Sequence, residues 1–516
     1  MKWADLLWGG GAGMRKLVFI TLLVLLITVC ALAKDTIVIG TTDKINILDP
    51  AKAYDYFSSN IMQNAMVGLV NYKVGTSELV PELATSWEVK DGGLIYIFHI
   101  RRDARFCNGD KITAPVIAWS LNRAMKLNGD PAFLLTDVVK KVEALDDYTL
   151  KVTLKKPDVT FVSRLGYTVG YPVNPKEYPE DSFFNDAPMK SCSGPYKIAE
   201  WVRDVKIVLE ENPYWYGPKP KTKRIVIMFY EDAATLRLAL ENGEIDVAYR
   251  HLDPRDFLDL KNLGMVKTYE GASPQIRYLV INVKKHPFDN VLVRRAIAYA
   301  VDRQRIVDNV FVGLAKPLYS MIPMGMWSHK DVLPKRDLAK AKQLLRKAGY
   351  SAGYPLKIDL WYTPTHYGTT EADVAQVIKE SLEETGMIEV TIKYAEWSTY
   401  IDYFLNGSMG LFLLGWYPDY IDPDDYTAPF LGTEGAKSLG SFYSDPQMDK
   451  WLEEARATTN TNERTMYYYK IQDKLAEDVP YIPLWQGVAT AAAQPYVKGI
   501  LLEPTQIFRY YILYTE

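Results

Sequence analysis

The sequence predicts a mixed α/β (α+β) protein with more than one packed unit, on three observations. The chain has 516 residues, enough for two or three sizeable cores. Apolar patterns of strand and helix period follow one another along its whole length, so the two element types are interleaved. No internal repeat, low-complexity tract or long charged run breaks them up.

In chain order, Thr36 to Gly40 reads as a strand ending in a turn, and Ser58 to Val70 as helical. Residues 94–101 and 149–155 have strand character. The second alternates, with Leu150, Val152 and Leu154 on one face and Lys or Thr on the other, so one side covers a core. Ala114 to Lys126 between them is helical. Val205 to Glu210 and Arg224 to Tyr230 are strands, the latter nearly all apolar and therefore central. Ala233 to Glu241 is a helix with Gly243 as its terminator.

Farther on, apolar residues from Leu292 to Val310 recur at helical spacing, which predicts one helix over Asp289 to Val310. Asp337 to Ala348 is a compact helix stopped at Gly349. Asp373 to Thr385 is helical and Glu389 to Tyr394 a strand. Ser444-Asp445-Pro446 opens a helix through Ala455, with proline at an early position where its missing donor costs nothing.

The net charge of −3 and pI near 6.1 give no basis for nucleic-acid binding. Aromatic content is unusual: 36 Tyr and 12 Trp stand against 17 Phe, so aromatic surface comes with hydroxyl and indole donors. That suits a wet ligand cleft as well as a large core. Residues 1–33 read as an export signal: basic Met14-Arg15-Lys16, an apolar run from Leu17 to Val29, and Ala31-Leu32-Ala33 as cleavage site. Met14 is a candidate true start. The run is short for a membrane span. The expected location is the periplasm or cell surface. Lipid attachment at Cys30 is disfavoured because Ile27-Thr28-Val29 lacks the small residues of such signals. Cys107 and Cys192 remain, and an oxidising compartment allows either a bridge or two buried thiols.

Catalytic patterns are scarce. His99, His251, His286, His329 and His366 show no metal-ligand spacing, and no nucleophile elbow, phosphate loop or dinucleotide glycine trio is present. Asp422, Asp424 and Asp425 lack the glycine and closing glutamate of a calcium loop and read as a turn with solvated acids. A hydrolase whose carboxylates meet only in space is the remaining enzyme reading. The sequence calls for no cofactor and no metal.

Five blocks in order resemble the family-5 extracellular solute-binding proteins of ABC importers. They are Pro81 to Val89 with Tyr96 to Arg101 and Phe106 to Asp110; Ser193-Gly194-Pro195-Tyr196 with Glu211 to Trp215; Asn242 to Asp246; Phe288-Asp289-Asn290 with Val293 to Ala296 and Ala300 to Arg303; and Ile482-Pro483-Leu484. The resemblance implies a two-lobed periplasmic-binding-protein-like fold with a ligand cleft between the lobes. Lobe I would take in 34–76, 186–270 and 488–516, with an inserted subdomain at 77–185, and lobe II 271–487. It also implies a monomer that binds a di- or oligopeptide, closes by a hinge and engages a transmembrane permease, with no catalysis. Cys107 and Cys192 fall in two of the matched blocks, and a disulfide between them is expected there.

The resemblance also points to a ligand site. In peptide-binding members the aspartate of a Gly-Trp-x-x-Asp run holds the ligand ammonium, and here the run is Gly415-Trp416-Tyr417-Pro418-Asp419. A carboxylate in a closed, water-poor cleft is costly unless a cation neutralises it, so it selects for an amine. The basic residue that meets the ligand carboxylate in several members is missing: Thr369-Thr370-Glu371 stands there, with His366 just before. A longer peptide or an oligosaccharide fits that gap, and for a sugar Trp416, Tyr417 and Trp397 are the stacking candidates.

Overall fold

A computed structural model describes residues 35–364 and 366–516. The export signal, the Met14 start and Cys30 lie outside the described residues. The framework is an 11-stranded mixed sheet. One wing carries Thr36–Thr41 between the parallel strands Arg224–Phe229 and Val247–Tyr249, with Lys206–Glu211 and Tyr196–Val202 added antiparallel outside Arg224–Phe229. The other wing carries Leu356–Tyr362 between Ile388–Tyr394 and Leu411–Trp416, all parallel.

Two long antiparallel strands, Lys267–Ile281 and Tyr481–Ala493, run through both wings. Their pairing has two stretches. Lys267 to Ala272 lies against Val488 to Ala493, and Ile276 to Val280 against Tyr481 to Gln486. The register shifts between them, at Ser273-Pro274-Gln275, where proline offers no donor to a ladder.

Helices cover both faces of the second wing, so its strands are apolar on both sides. Leu279, Ile281, Leu411 and Leu413 enter one core, and Ile276, Tyr278, Val280, Phe412 and Leu414 enter the core on the opposite face. This is the period-2 rule applied to a doubly covered sheet. A separate four-stranded antiparallel sheet, Ala84–Lys90, Ile95–Ile100, Thr149–Leu154 and Val139–Asp146, packs on helix Ala114–Leu127. Its core takes in Phe98, Leu150, Val152 and Leu121, but also Val67, Leu69 and Val70 from before residue 77. Tyr171, Val173 and Tyr178 join the first wing's core instead.

Several elements depart from the sequence reading. The expected helix from Ser58 occupies Tyr56–Ala65 and is followed by strand Val70–Tyr72. Its start is fixed by Asp55, whose side chain accepts from the Ser58 N–H at 2.8 Å. The single helix expected over Asp289 to Val310 is two, Val291–Ala300 and Arg303–Asn309. Asp302 divides them by capping the second, accepting from the Arg305 N–H at 3.0 Å. The helix expected from Asp373 begins at Glu371.

The structure carries Cys107 and Cys192 as free thiols, without the expected disulfide. Their segments nevertheless lie side by side, the Cys107 N–H donating to the Cys192 carbonyl at 2.6 Å. Each thiol donates to a carbonyl instead: Cys107 Sγ to Met189 at 3.1 Å and Cys192 Sγ to Pro188 at 3.2 Å.

Candidate functional site

Strand Leu411–Trp416 delivers the Gly-Trp-x-x-Asp run to the boundary between the wings. Gly415 sits opposite Arg277 in the ladder, and a Cβ there would come within 2.3 Å of Arg277 Nη1. Only glycine lets that guanidinium lie over the strand. After Trp416 the chain turns, and a short 3₁₀ turn, Pro423–Tyr426, carries it back. Asp422 caps that turn by accepting from the Asp424 N–H at 2.9 Å.

The loop between these elements enters the side formed by residues 35–76 and the four-stranded unit. Asp419 is 8% exposed. Among the described residues its side-chain hydrogen-bond partner is Tyr54, whose hydroxyl donates to Oδ2 at 2.9 Å. The Ile421 N–H donates to the Tyr72 hydroxyl at 3.2 Å, and Tyr420 is buried in the core of the four-stranded unit. Burial raises the Asp419 carboxyl to about 7, although the Tyr54 hydrogen bond and the Arg164 charge pull it down.

Behind it lies Asp425, fully buried. Its Oδ2 accepts from the Asp419 N–H and from Trp416 Nε1, both at 3.1 Å, while Oδ1 has no partner. Burial and the Asp419 charge push its carboxyl well above the usual range. Asp419 and Asp425 thus form a carboxylate pair short of positive charge.

The other acids of the run are neutralised, which corrects the expectation of a solvated turn. Asp424 is fully buried and accepts from Arg456 Nε at 2.8 Å, from Arg164 Nη2 at 3.4 Å and from the Tyr420 hydroxyl at 2.7 Å. Asp422 takes both arms of Arg464, at 2.7 and 3.0 Å. Three arginines, each at least 32 positions from the acid it holds, make burial of these acids tolerable. No local pattern announces them.

The remaining sequence candidates fall into two groups. Tyr417 lies beside the pair and reaches across: Arg250 Nη2 donates to its hydroxyl at 2.8 Å, and Arg250 Nη1 donates to Asp43 at 3.0 Å. The same guanidinium lies over the Tyr56 ring at 3.8 Å, and the Tyr56 and Tyr417 rings are 5.5 Å apart. Trp397 opens helix Trp397–Leu405 and is stacked on His366 at 3.6 Å, with Tyr367 edge-on at 5.7 Å. Tyr367 in turn lies over the Arg277 guanidinium at 3.6 Å. Trp397 is thus linked to Arg277 through Tyr367.

Tyr54, Tyr72, Arg164, Arg250, Arg277 and Asp425 escaped the sequence reading. Asp425 was visible only as one acid among three. Arg277 and Glu371 form a contact ion pair with both side chains buried. The glutamate found where a basic residue was expected thus has a partner on the long strand.

Comparison with known proteins gives a consistent picture. Residues 78–438 match the family described as bacterial extracellular solute-binding proteins, family 5 (middle region). Heme-binding protein A of Haemophilus influenzae is 30% identical over 470 residues, covering 84% of each chain. A probable D,D-dipeptide-binding periplasmic protein of Escherichia coli is 29% identical over 487 residues, covering 92% of this chain and 93% of its own. Among solved structures, a periplasmic binding protein of Helicobacter pylori in complex with the peptide STSA superposes with a TM-score of 0.81 at 27% identity, covering 93% of this chain and 98% of that one. With the two-winged sheet and the matched region in agreement, this chain belongs to the family-5 bacterial extracellular solute-binding proteins.

Proposed function

We propose that the protein captures di- or oligopeptides between its two wings and presents the closed form to the transmembrane permease of an ABC importer. The observation that carries this reading is Asp419, a buried carboxylate between the wings whose hydrogen-bonding hydroxyl comes from the opposite side. An α-ammonium supplies the charge that this site lacks, through charge-assisted hydrogen bonds. Asp419 would be the anchor, with Gly415, Trp416 and Tyr417 shaping the wall around it. No bond is broken; the ligand favours the closed form because only that form brings both walls to it.

The wings act as the two lobes, and the register shift at Ser273-Pro274-Gln275 is the hinge point on one long strand. The relatives named for dipeptide binding and the neighbour holding STSA support the ligand class. An oligosaccharide receptor needs ring faces open to sugar. Trp397 is covered by His366, Tyr417 is flanked by Tyr56 and Arg250, and Trp416 meets Phe430 edge-on at 5.1 Å. No helix among the described residues is long and apolar enough to cross a membrane; export through the amino-terminal signal is part of the same proposal. Calorimetry with di- to pentapeptides and with cello- and manno-oligosaccharides tests it. Saturable heat is expected with peptides, and binding of saccharides alone would overturn the reading.

A further inference from the structure

Away from the cleft, the first wing carries a concentrated positive charge. The run Lys219-Pro220-Lys221-Thr222-Lys223 leads into strand Arg224–Phe229 with alternating burial. Pro220 and Thr222 are buried, while Lys219, Lys221 and Lys223 are exposed. The backbone beneath them is pinned. The Thr222 hydroxyl donates to the Leu513 carbonyl at 2.9 Å, the Tyr196 hydroxyl to the Thr222 carbonyl at 2.7 Å, and the Lys221 N–H to the Tyr511 carbonyl at 3.1 Å. Beside this run opens a surface cavity of about 550 Å³, lined by Lys197, Lys219, Lys223, Arg224 and Trp215 together with Glu210 and Glu211. The acids only partly offset the cations. Lys197 and Arg224 share Glu210 at 3.7 and 4.0 Å, and Lys223 lies 3.6 Å from Asp35, all in exposed pairs.

Two observations indicate what this face meets. Asp35 lies in the patch, its carbonyl accepting from the Arg224 N–H at 3.0 Å. Val29, the end of the apolar run, is six positions earlier, and six residues reach at most about 20 Å. A chain carrying that run in a bilayer therefore holds the lysines within that distance of it. The patch is also remote from the ligand loop. Asp35 precedes strand Thr36–Thr41, whereas Asp43, which holds Arg250 beside Tyr417, follows it. The strand between them is about 20 Å long, so contact at the patch leaves the cleft clear.

We propose that this face of the first wing docks on membranes rich in anionic phospholipid, with the lysine row and Arg224 against headgroup phosphates and Trp215 beside them. The proposal does not depend on the peptide reading.

The test is sedimentation of the full chain with equimolar phosphatidylglycerol–phosphatidylcholine vesicles and with phosphatidylcholine vesicles, at about 50 and 500 mM salt. Binding to the anionic vesicles is expected to exceed that to the neutral ones at least tenfold at the lower salt, and this excess should vanish at the higher. Equal binding to both overturns the proposal. Replacing Lys219→Gln, Lys221→Gln and Lys223→Gln together keeps the amino-terminal segment, with Arg15 and Lys16, and should abolish the excess. An excess that survives in this variant refutes the patch. Glu210→Gln, which frees Lys197 and Arg224, should raise anionic-vesicle binding about threefold. It decides the matter if the triple variant does not fold, and no gain counts against the patch. Peptide calorimetry judges the capture reading separately from either vesicle result.

Discussion

With its carboxyl raised to about 7 by burial, Asp419 changes charge near neutral pH. The sign follows from the ligand. An ammonium binds the ionised form, and a proton on Asp419 competes with it. Affinity for a free-amine peptide should therefore peak near pH 7.5, where Asp419 is mostly ionised and the peptide amine, with a pKa of about 7.7–8.0, is still mostly protonated, and fall roughly 15-fold by pH 5.5. Asp419→Asn should flatten this profile and lower affinity at pH 7.5. Calorimetry across that range checks both, and an unchanged slope in the variant would assign the proton to another group. The sequence made Asp419 legible because its motif is contiguous. Tyr54 and Asp425 were not, since what matters about them is a hydroxyl 365 positions away and an orphaned oxygen.

Among the elements, the strand that carries the motif depends on a missing side chain. Gly415→Ala would set a methyl against Arg277 Nη1 at 2.3 Å and the Tyr367 ring at 3.0 Å. The expected cost is about 1–3 kcal/mol, read as a lowered midpoint in urea unfolding, and an unshifted midpoint would contradict this packing. Cys107 and Cys192 are free thiols on adjoining segments, and we propose that they bridge under oxidising conditions. Thiol titration of the denatured, unreduced chain is expected to find neither cysteine free; two titratable thiols would refute the bridge.

Element legibility followed patterning. Thr149–Leu154 alternates and was read within one residue. Helix Thr461–Asp478 was missed because Tyr467, Tyr468 and Tyr469 and its many charges blur the apolar stripe. Strand Tyr481–Ala493 was missed because Pro483, Gly487 and a run of alanines are poor strand formers that only its long partner strand overrides.

For the whole molecule, the described form has its wings in contact at the site. Tyr54 with Asp419, Tyr72 with Ile421 and Arg250 with Tyr417 all join segments hundreds of residues apart. Such contacts hold the closed form and are set against the free energy of opening. Tyr417→Phe removes the hydrogen bond to Arg250 while keeping the ring. A hydrogen bond to a charged group contributes about 1.5–3 kcal/mol, so peptide affinity should drop by more than about tenfold and small-angle scattering should show a larger radius of gyration without ligand. Unaltered affinity and radius would mean that closure does not depend on this contact. The two-lobed plan was foreseeable from ordered blocks, but which arginines neutralise which acids was not, because those pairs join segments distant in the chain.

The central claim is that a ligand amine completes a buried carboxylate. Its most direct measurement is the dissociation constant of one peptide that binds the wild-type protein, with and without N-acetylation. Leaving Asp419 unpaired should cost at least ~2 kcal/mol, about 30-fold in affinity. Equal affinity for the acetylated and free peptides would contradict the account.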